Sequence, residues 1–113
     1  MKEASKIVVL VTAGSVEEAH NIANLLLNQR TVACVNIVPK VDSVFWWEDK
    51  LDSEHESLLI AKTKASLLTE IIKLVKSVHS YEVPEVIALP VIGGSEDYLN
   101  WIDSELETSA GNI

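Results

Sequence analysis

The sequence holds a single cysteine, Cys34, among its 113 residues, so no internal disulfide can form. That suits a reducing compartment. Basic residues are scarce as well. Nine Lys and Arg stand against seventeen Asp and Glu, for a formal charge of −8. Such a chain lacks the basic patch that nucleic acid or an anionic membrane surface requires, though it attracts cations weakly and without selectivity. No apolar run approaches the roughly 20 residues that span a bilayer. Met1 is followed by Lys2-Glu3-Ala4-Ser5-Lys6 and a short apolar run from Ile7 to Thr12, with no signal-peptide core or cleavage site. The expectation is a cytoplasmic protein, with organelle import by a removed transit peptide left open. Internal repeats and low-complexity stretches are absent too, and 113 residues make one domain, 1–113.

The usual catalytic constellations are also missing. Cys34 sits mid-strand among apolar residues with no His or Lys near it in sequence to lower its pKa, which reads as a buried structural thiol. His20 follows Glu17 by three positions, half of a helical carboxylate-bridged metal motif whose second half does not exist, so a solvated helix face is the better reading. The first loop, Thr12-Ala13-Gly14-Ser15, has no Arg to cradle a phosphate as an acylphosphatase-type site would need. Paired strand aromatics amid basic residues, the mark of an RNA-recognition sheet, are not found. No catalytic residue is expected, and the chain reads as a non-enzyme.

What is present is organised around Ala33–Lys64, two long antiparallel strands folded about the corner Trp47-Glu48-Asp49-Lys50. Val35, Ile37, Val41 and Phe45 share one parity of the first arm, and Cys34, Val38, Val44 and Trp46 the other. Apolar residues on both faces imply that both are covered. Neighbouring Trp46 and Trp47 must point to opposite faces, and an indole buries roughly 150–250 Å², about 4–6 kcal/mol. A ligand or another subunit is expected there, with Trp46 and Trp47 as the oligomer interface.

Around the hairpin, Lys6–Ala13 reads as a central strand and Gly14 ends it. Ser15 with Glu18 makes a capping box for a first helix with the stripe Val16, Ala19, Ile22, Ala23, Leu26, ending near Arg30. Ser66 is expected to cap a second helix with the stripe Leu68, Ile71, Ile72, Val75, Val78, which must stop before Pro84. Val86–Ile92 is a fourth strand whose Pro90 belongs at an edge or bulge. Ser95 caps a last helix carrying Tyr98, Leu99, Ile102 and Leu106, before a frayed tail over 108–113. The order β-α-β-β-α-β-α predicts an α+β fold, the ferredoxin-like sandwich with both crossover helices on one face, plus a C-terminal helix. The other face would stay bare in a monomer, so an oligomer should cover it, the third helix assisting.

His79 falls at the end of the second helix, where the dipole would favour a protonated ring, and helix capping is one reading. The loop after it, Ser80-Tyr81-Glu82-Val83-Pro84-Glu85, concentrates an aromatic and carboxylates on a helix-to-strand connection, where function collects. Asp52, Glu54 and Glu56 flank His55 at alternate positions and read as a solvated acidic stripe, with a weak metal surface as the alternative.

Five segments, ACVNIVP at Ala33–Pro39, SVFWWEDKL ending at Leu51, LLIAKT at Leu58–Thr63, VHSYEVPEVIALPV at Val78–Val91 and GGSEDYLNW ending at Trp101, resemble the divalent-cation tolerance (CutA) family. The resemblance runs from about Lys6 to Leu106. It implies a ferredoxin-like protomer, a homotrimer with sheets packed about a threefold axis, similarity to the PII signalling proteins, and a cytoplasmic role linked to copper and other divalent metals. It places the family's Ala-Cys-Val-Asn strand on Ala33-Cys34-Val35-Asn36, its Trp-rich corner on Trp46-Trp47-Glu48, its Lys-Thr pair on Lys62-Thr63 and its His-Pro-Tyr loop on His79-Ser80-Tyr81. Ser80 stands for the usual proline, Asp49 for the usual glycine, and Val11 for a cysteine of some relatives. The expected metal ligands are His79 with Glu85 and Cys34, binding Cu(II) or a similar ion that folding does not require. The alternative is a PII-like module holding a small anionic effector in an intersubunit cleft lined by Trp46, Glu48, Lys62, Tyr81 and Glu82.

Overall fold

The structure, a computed structural model, describes residues 5–110. Four antiparallel strands form one sheet in the order β2-β3-β1-β4. They are β1 (Lys6–Ala13), β2 (Cys34–Trp47), β3 (Lys50–Lys64) and β4 (Val86–Pro90), with helices α1 (Val16–Asn28), α2 (Leu68–Val78) and α3 (Glu96–Ala110). This is the ferredoxin-like arrangement. The central pair is β1 and β3, which explains why Ile7–Val11 is apolar on both parities. Pro90 ends β4 opposite Ile7 at the sheet edge, where no further neighbour needs its missing N–H.

The odd residues of β1 and β3, among them Val9, Val11, Leu59 and Ala61, form one buried cluster with Ile22 and Leu26 of α1 and Ile71 and Val75 of α2. Lys6 has the opposite parity and ion-pairs Asp103 of α3 at 2.9 Å, which sets α3 against the far face at that end. Ile102 and Leu106 are buried there. The far face is therefore partly covered by the chain's own third helix rather than bare. Cys34, expected to be buried, is half-buried at that end of the sheet. Burial and the adjacent Cys34 thiol push the Tyr98 phenol above its ordinary value.

Helix ends depart from expectation in instructive ways. Ser66 does not cap α2, because Ala65–Leu67 form a short 3-10 turn and Leu67 occupies the cap position with no side-chain hydrogen bond. Val78, counted in the core stripe, is 49% exposed, since the helix ends as it leaves the sheet. At the end of α1, Arg30 takes a φ of 56° while its N–H donates to Leu27 O and that of Thr31 to Leu26 O, the two bonds that close a helix with a left-handed residue. Its guanidinium donates to the Glu105 carbonyl at 3.0 Å, joining α1 to α3. The helix α3 continues to Ala110, and residues 111–113 of the expected frayed tail lie outside the described residues.

The hairpin is as long as expected. It turns through Glu48 and Asp49, with φ 49° and 67°, between the paired Trp47 and Lys50. A two-residue hairpin loop prefers left-handed values at both positions because they match the strand twist. Each non-glycine residue there costs on the order of 1 kcal/mol. A bulge between Val38 and Val41 accommodates Pro39, whose carbonyl accepts from Ser57 Oγ at 2.7 Å. Beyond it, Val41, Ser43 and Phe45 face the same side as Glu56, Glu54 and Asp52, while Val44 and Trp46 share the other side with Ser53 and Leu51.

Candidate functional site

A pocket of about 860 Å³ opens between the outer hairpin and the loop from α2 to β4. Its walls include Asp52, Glu54 and Glu56 of β3, Tyr81, Glu82 and Glu85 of the loop, and the Phe45 and Trp47 rings of β2. The acidic stripe is solvated as expected, Asp52 and Glu54 being exposed and Glu56 half-buried, and it forms one wall of this open pocket. Alternate carboxylates on one strand were visible in the sequence, but the loop that faces them was not. No Lys, Arg or His is among the lining residues.

The loop is held by a connected set of hydrogen bonds. The His79 side chain has no exposed surface. Its Nδ1 accepts the Tyr81 N–H at 3.0 Å, so Nε2 carries the proton and donates to the Thr12 carbonyl at 2.7 Å. Both ring nitrogens are therefore committed to the backbone. The His79 and Tyr81 rings lie 4.7 Å apart at 50°, and Tyr81 Oη donates to Glu56 Oε2 at 2.8 Å. Burial, the Glu56 hydrogen bond and the charges of Glu56, Glu54 and Glu18 push the Tyr81 phenol up to about 12.

Glu18 anchors the same loop from α1. Ser15 Oγ accepts the Glu18 N–H at 3.1 Å, as the capping box requires. The return arm goes elsewhere. Glu18 Oε1 accepts from Gly14 N at 2.8 Å and Ser80 Oγ at 3.0 Å, and Oε2 accepts from Ser80 N at 2.7 Å. Burial raises this carboxyl's pKa, but the hydrogen bonds from Gly14 and Ser80, with the nearby His79, outweigh it and hold the group below its ordinary value. A group depressed in the fold stabilises it fully above the ordinary value of 4.5 and loses that contribution as pH falls through the folded value. Thermal melts in chelator should therefore show a steeper acid decline for the wild type than for Glu18→Gln. Parallel acid limbs would refute it.

The other nominated residues are dispersed. Cys34 pairs with Lys62, and Lys62 with Val8, whereas His79 bonds to Thr12. Four residues of strand separate those levels, about 13 Å. Lys62 lies six positions from Glu56, about 20 Å along β3. Glu48 is at the turn, and Trp46 faces away from the side that carries the acidic stripe. His20 is exposed on α1, and His55 pairs with Asp42 across the hairpin. Tyr81, Glu82 and Glu85 do meet in one pocket. Trp47, nominated only for an interface, and Glu18, nominated only for a cap, are the functional candidates that sequence reasoning missed.

A family model described as CutA1 divalent ion tolerance protein matches residues 7–105. The chain belongs to the CutA1 family. It is 48% identical to Protein CutA, chloroplastic, of Arabidopsis thaliana, over 90% of this chain and 58% of that protein. To the divalent-cation tolerance protein CutA of Archaeoglobus fulgidus it is 41% identical, over 88% of this chain and 96% of the relative. The crystal structure of CutA1 from Oryza sativa superposes with a TM-score of 0.87 at 45% identity, covering 91% of this chain and 94% of that one. The chain spans a little over half the length of the plant relatives. Compartments differ among these proteins: the Arabidopsis relative is chloroplastic, and the solved Archaeoglobus fulgidus structure is of a periplasmic protein. No helix among the described residues is long and apolar enough to cross a membrane.

The family's description implies divalent cations, and the nominated ligand set does not fit a bound ion. His79 has no free nitrogen, Cys34 is distant, and among the described residues no three His, Cys, Asp or Glu side chains converge as a ligand set. The pocket's carboxylates are included in that absence: they line its walls without converging on one point, and their summed negative charge favours cations only weakly and without selectivity.

Proposed function

We propose that this CutA1-family chain is a non-enzymatic divalent-cation-binding protein, cytoplasmic and assembled as a homotrimer, that serves metal tolerance by collecting cations, copper(II) included, at the carboxylate-lined pocket. The observation that carries the reading is a single cavity lined by Asp52, Glu54, Glu56, Glu82 and Glu85 without one basic side chain. A small anionic effector would meet like charge there, and Lys62 is too far along β3 to offset it. Assembly is supported by the apolar surface left on the protomer, including Val44 at 74%, Trp46 at 71%, Leu51 at 66% and Ile92 at 99% exposure.

Calorimetric titration of the chelator-stripped chain with Cu(II) and Mn(II) tests it. The double variant Glu54→Gln, Glu82→Gln should bind at least about tenfold more weakly, roughly 1.4 kcal/mol. Carboxylate ligation should also survive acidification through about pH 6.5, where imidazole ligation fails, and weaken only toward about 4.3. Unchanged isotherms in the double variant, or loss of binding near pH 6.5, would refute the pocket as the binding place.

A further inference from the structure

His79 carries a titratable ring with no exposed surface, at the point where α2 gives way to the loop 80–85. Its Nδ1 accepts the Tyr81 N–H at 3.0 Å, and Nε2 donates to the Thr12 carbonyl at 2.7 Å. Only the neutral ring can make both bonds, since a protonated imidazole has two donors and no acceptor. We infer that His79 is a pH-sensitive switch for the α2–β4 loop: a proton on Nδ1 displaces the Tyr81 N–H and releases the loop, while Nε2 keeps the ring seated on β1.

The loop is attached in a way that allows this. Among the described residues its hydrogen bonds run through side chains: His79 to the Tyr81 N–H, Glu18 to the Ser80 N–H and hydroxyl, and Tyr81 Oη to Glu56. Ser80, Glu82, Val83 and Glu85 are exposed, so little apolar burial opposes local opening. The far side of the ring responds differently. Nε2 is a donor in both protonation states, and its bond to Thr12 survives the change.

The charges around the ring attract the proton. From α1, Glu18 Oε2 lies 3.7 Å from Nδ1. From β3, Glu56 and Glu54 act on the adjacent Tyr81 phenol. From β1 the ring meets the uncharged Thr12 carbonyl, and the carbonyl end of α2 favours a cation at its last residues. Lys76 of the last turn of α2, and Glu82 and Glu85 of the loop, are exposed. Burial raises the Glu18 carboxyl, but hydrogen bonds from Gly14 and Ser80, with the nearby His79, hold it below its ordinary value, so it is ionised wherever imidazoles titrate. Oε2 already accepts the Ser80 N–H at 2.7 Å. An Nδ1–H turning toward that oxygen competes with Ser80 and loosens the second anchor as it breaks the first. The closed loop thus binds one proton fewer than the open one, and opening is favoured as pH falls.

NMR of the wild-type chain in chelator, from about pH 8 to about pH 5, tests the switch, because imidazoles titrate across that span. No cation takes part, so the result is independent of where metal binds. As the His79 ring protonates, the amide protection factors of Ser80 and Tyr81 should fall about tenfold, while that of Val9 in the core holds. His79→Gln keeps one acceptor and one donor but cannot titrate, so its Ser80 and Tyr81 protection should stay flat over the same span. If that variant does not fold, the wild type still decides, because ring and amide signals come from one sample. Protection that falls with the titration of the exposed His20 or His55, or equally at Val9, overturns the switch. So does a His79 ring that protonates with Tyr81 still protected, which would mean that Glu18 pairs with it in place. A ring that stays neutral throughout overturns it as well.

Discussion

His79→Ala should lower folding stability by about 3–5 kcal/mol, and the loss should be equally large with chelator present. The ring is fully enclosed, and removing it strands the Tyr81 N–H and the Thr12 carbonyl, each costing about 1–3 kcal/mol when left unpaired. The vacated ring volume adds a cavity cost. Denaturant unfolding in chelator measures the loss. A decrease below about 1 kcal/mol, or one that appears only when metal is supplied, would return His79 to the role of ligand. The result matters because His79 is the residue to which a metal reading of the sequence leads first. Its two nitrogens are spent on holding a loop.

On the proposed trimer, Trp46→Lys should give a monomer in sedimentation at micromolar concentration. Trp46 pairs across the hairpin with Leu51, and the two are 71% and 66% exposed. Covering an indole is worth about 4–6 kcal/mol per subunit, and an unpaired ammonium in the same contact costs several more. Trp47 is a contrast on the opposite face, since it lines the acidic pocket. Trp47→Lys should weaken Mn(II) binding by placing a cation among the carboxylates. A Trp46→Lys chain that sediments and melts as the wild type does would remove the hairpin from the interface.

Much of this protein was legible in its residues. Apolar residues on both parities of Lys6–Ala13 marked a strand paired on both sides, buried on one face and half-buried on the other, Pro90 marked an edge, and Ser15 marked a helix start, because each signal is local and depends on backbone geometry alone. The long hairpin was legible too, even with Glu48 and Asp49 at its corner in place of glycine. The helix start at Ser66 misled, since a hydroxyl before an apolar run reads the same whether the chain enters an α-helix or a 3-10 turn. The site was legible only in halves. Asp52, Glu54 and Glu56 announced one face of a strand, and Tyr81, Glu82 and Glu85 announced a loop. That the two face each other across one cavity depends on where α2 delivers the chain, and no periodicity encodes that. Glu18 shows the same limit, for the sequence supplied its capping partner three residues away while the fold supplied Ser80, sixty-two residues on. Local hydrogen bonding and hydrophobic period are written in neighbouring residues; which carboxylates share a pocket, and which nitrogens remain free to bind, were decided when the sheet brought distant segments within hydrogen-bonding reach.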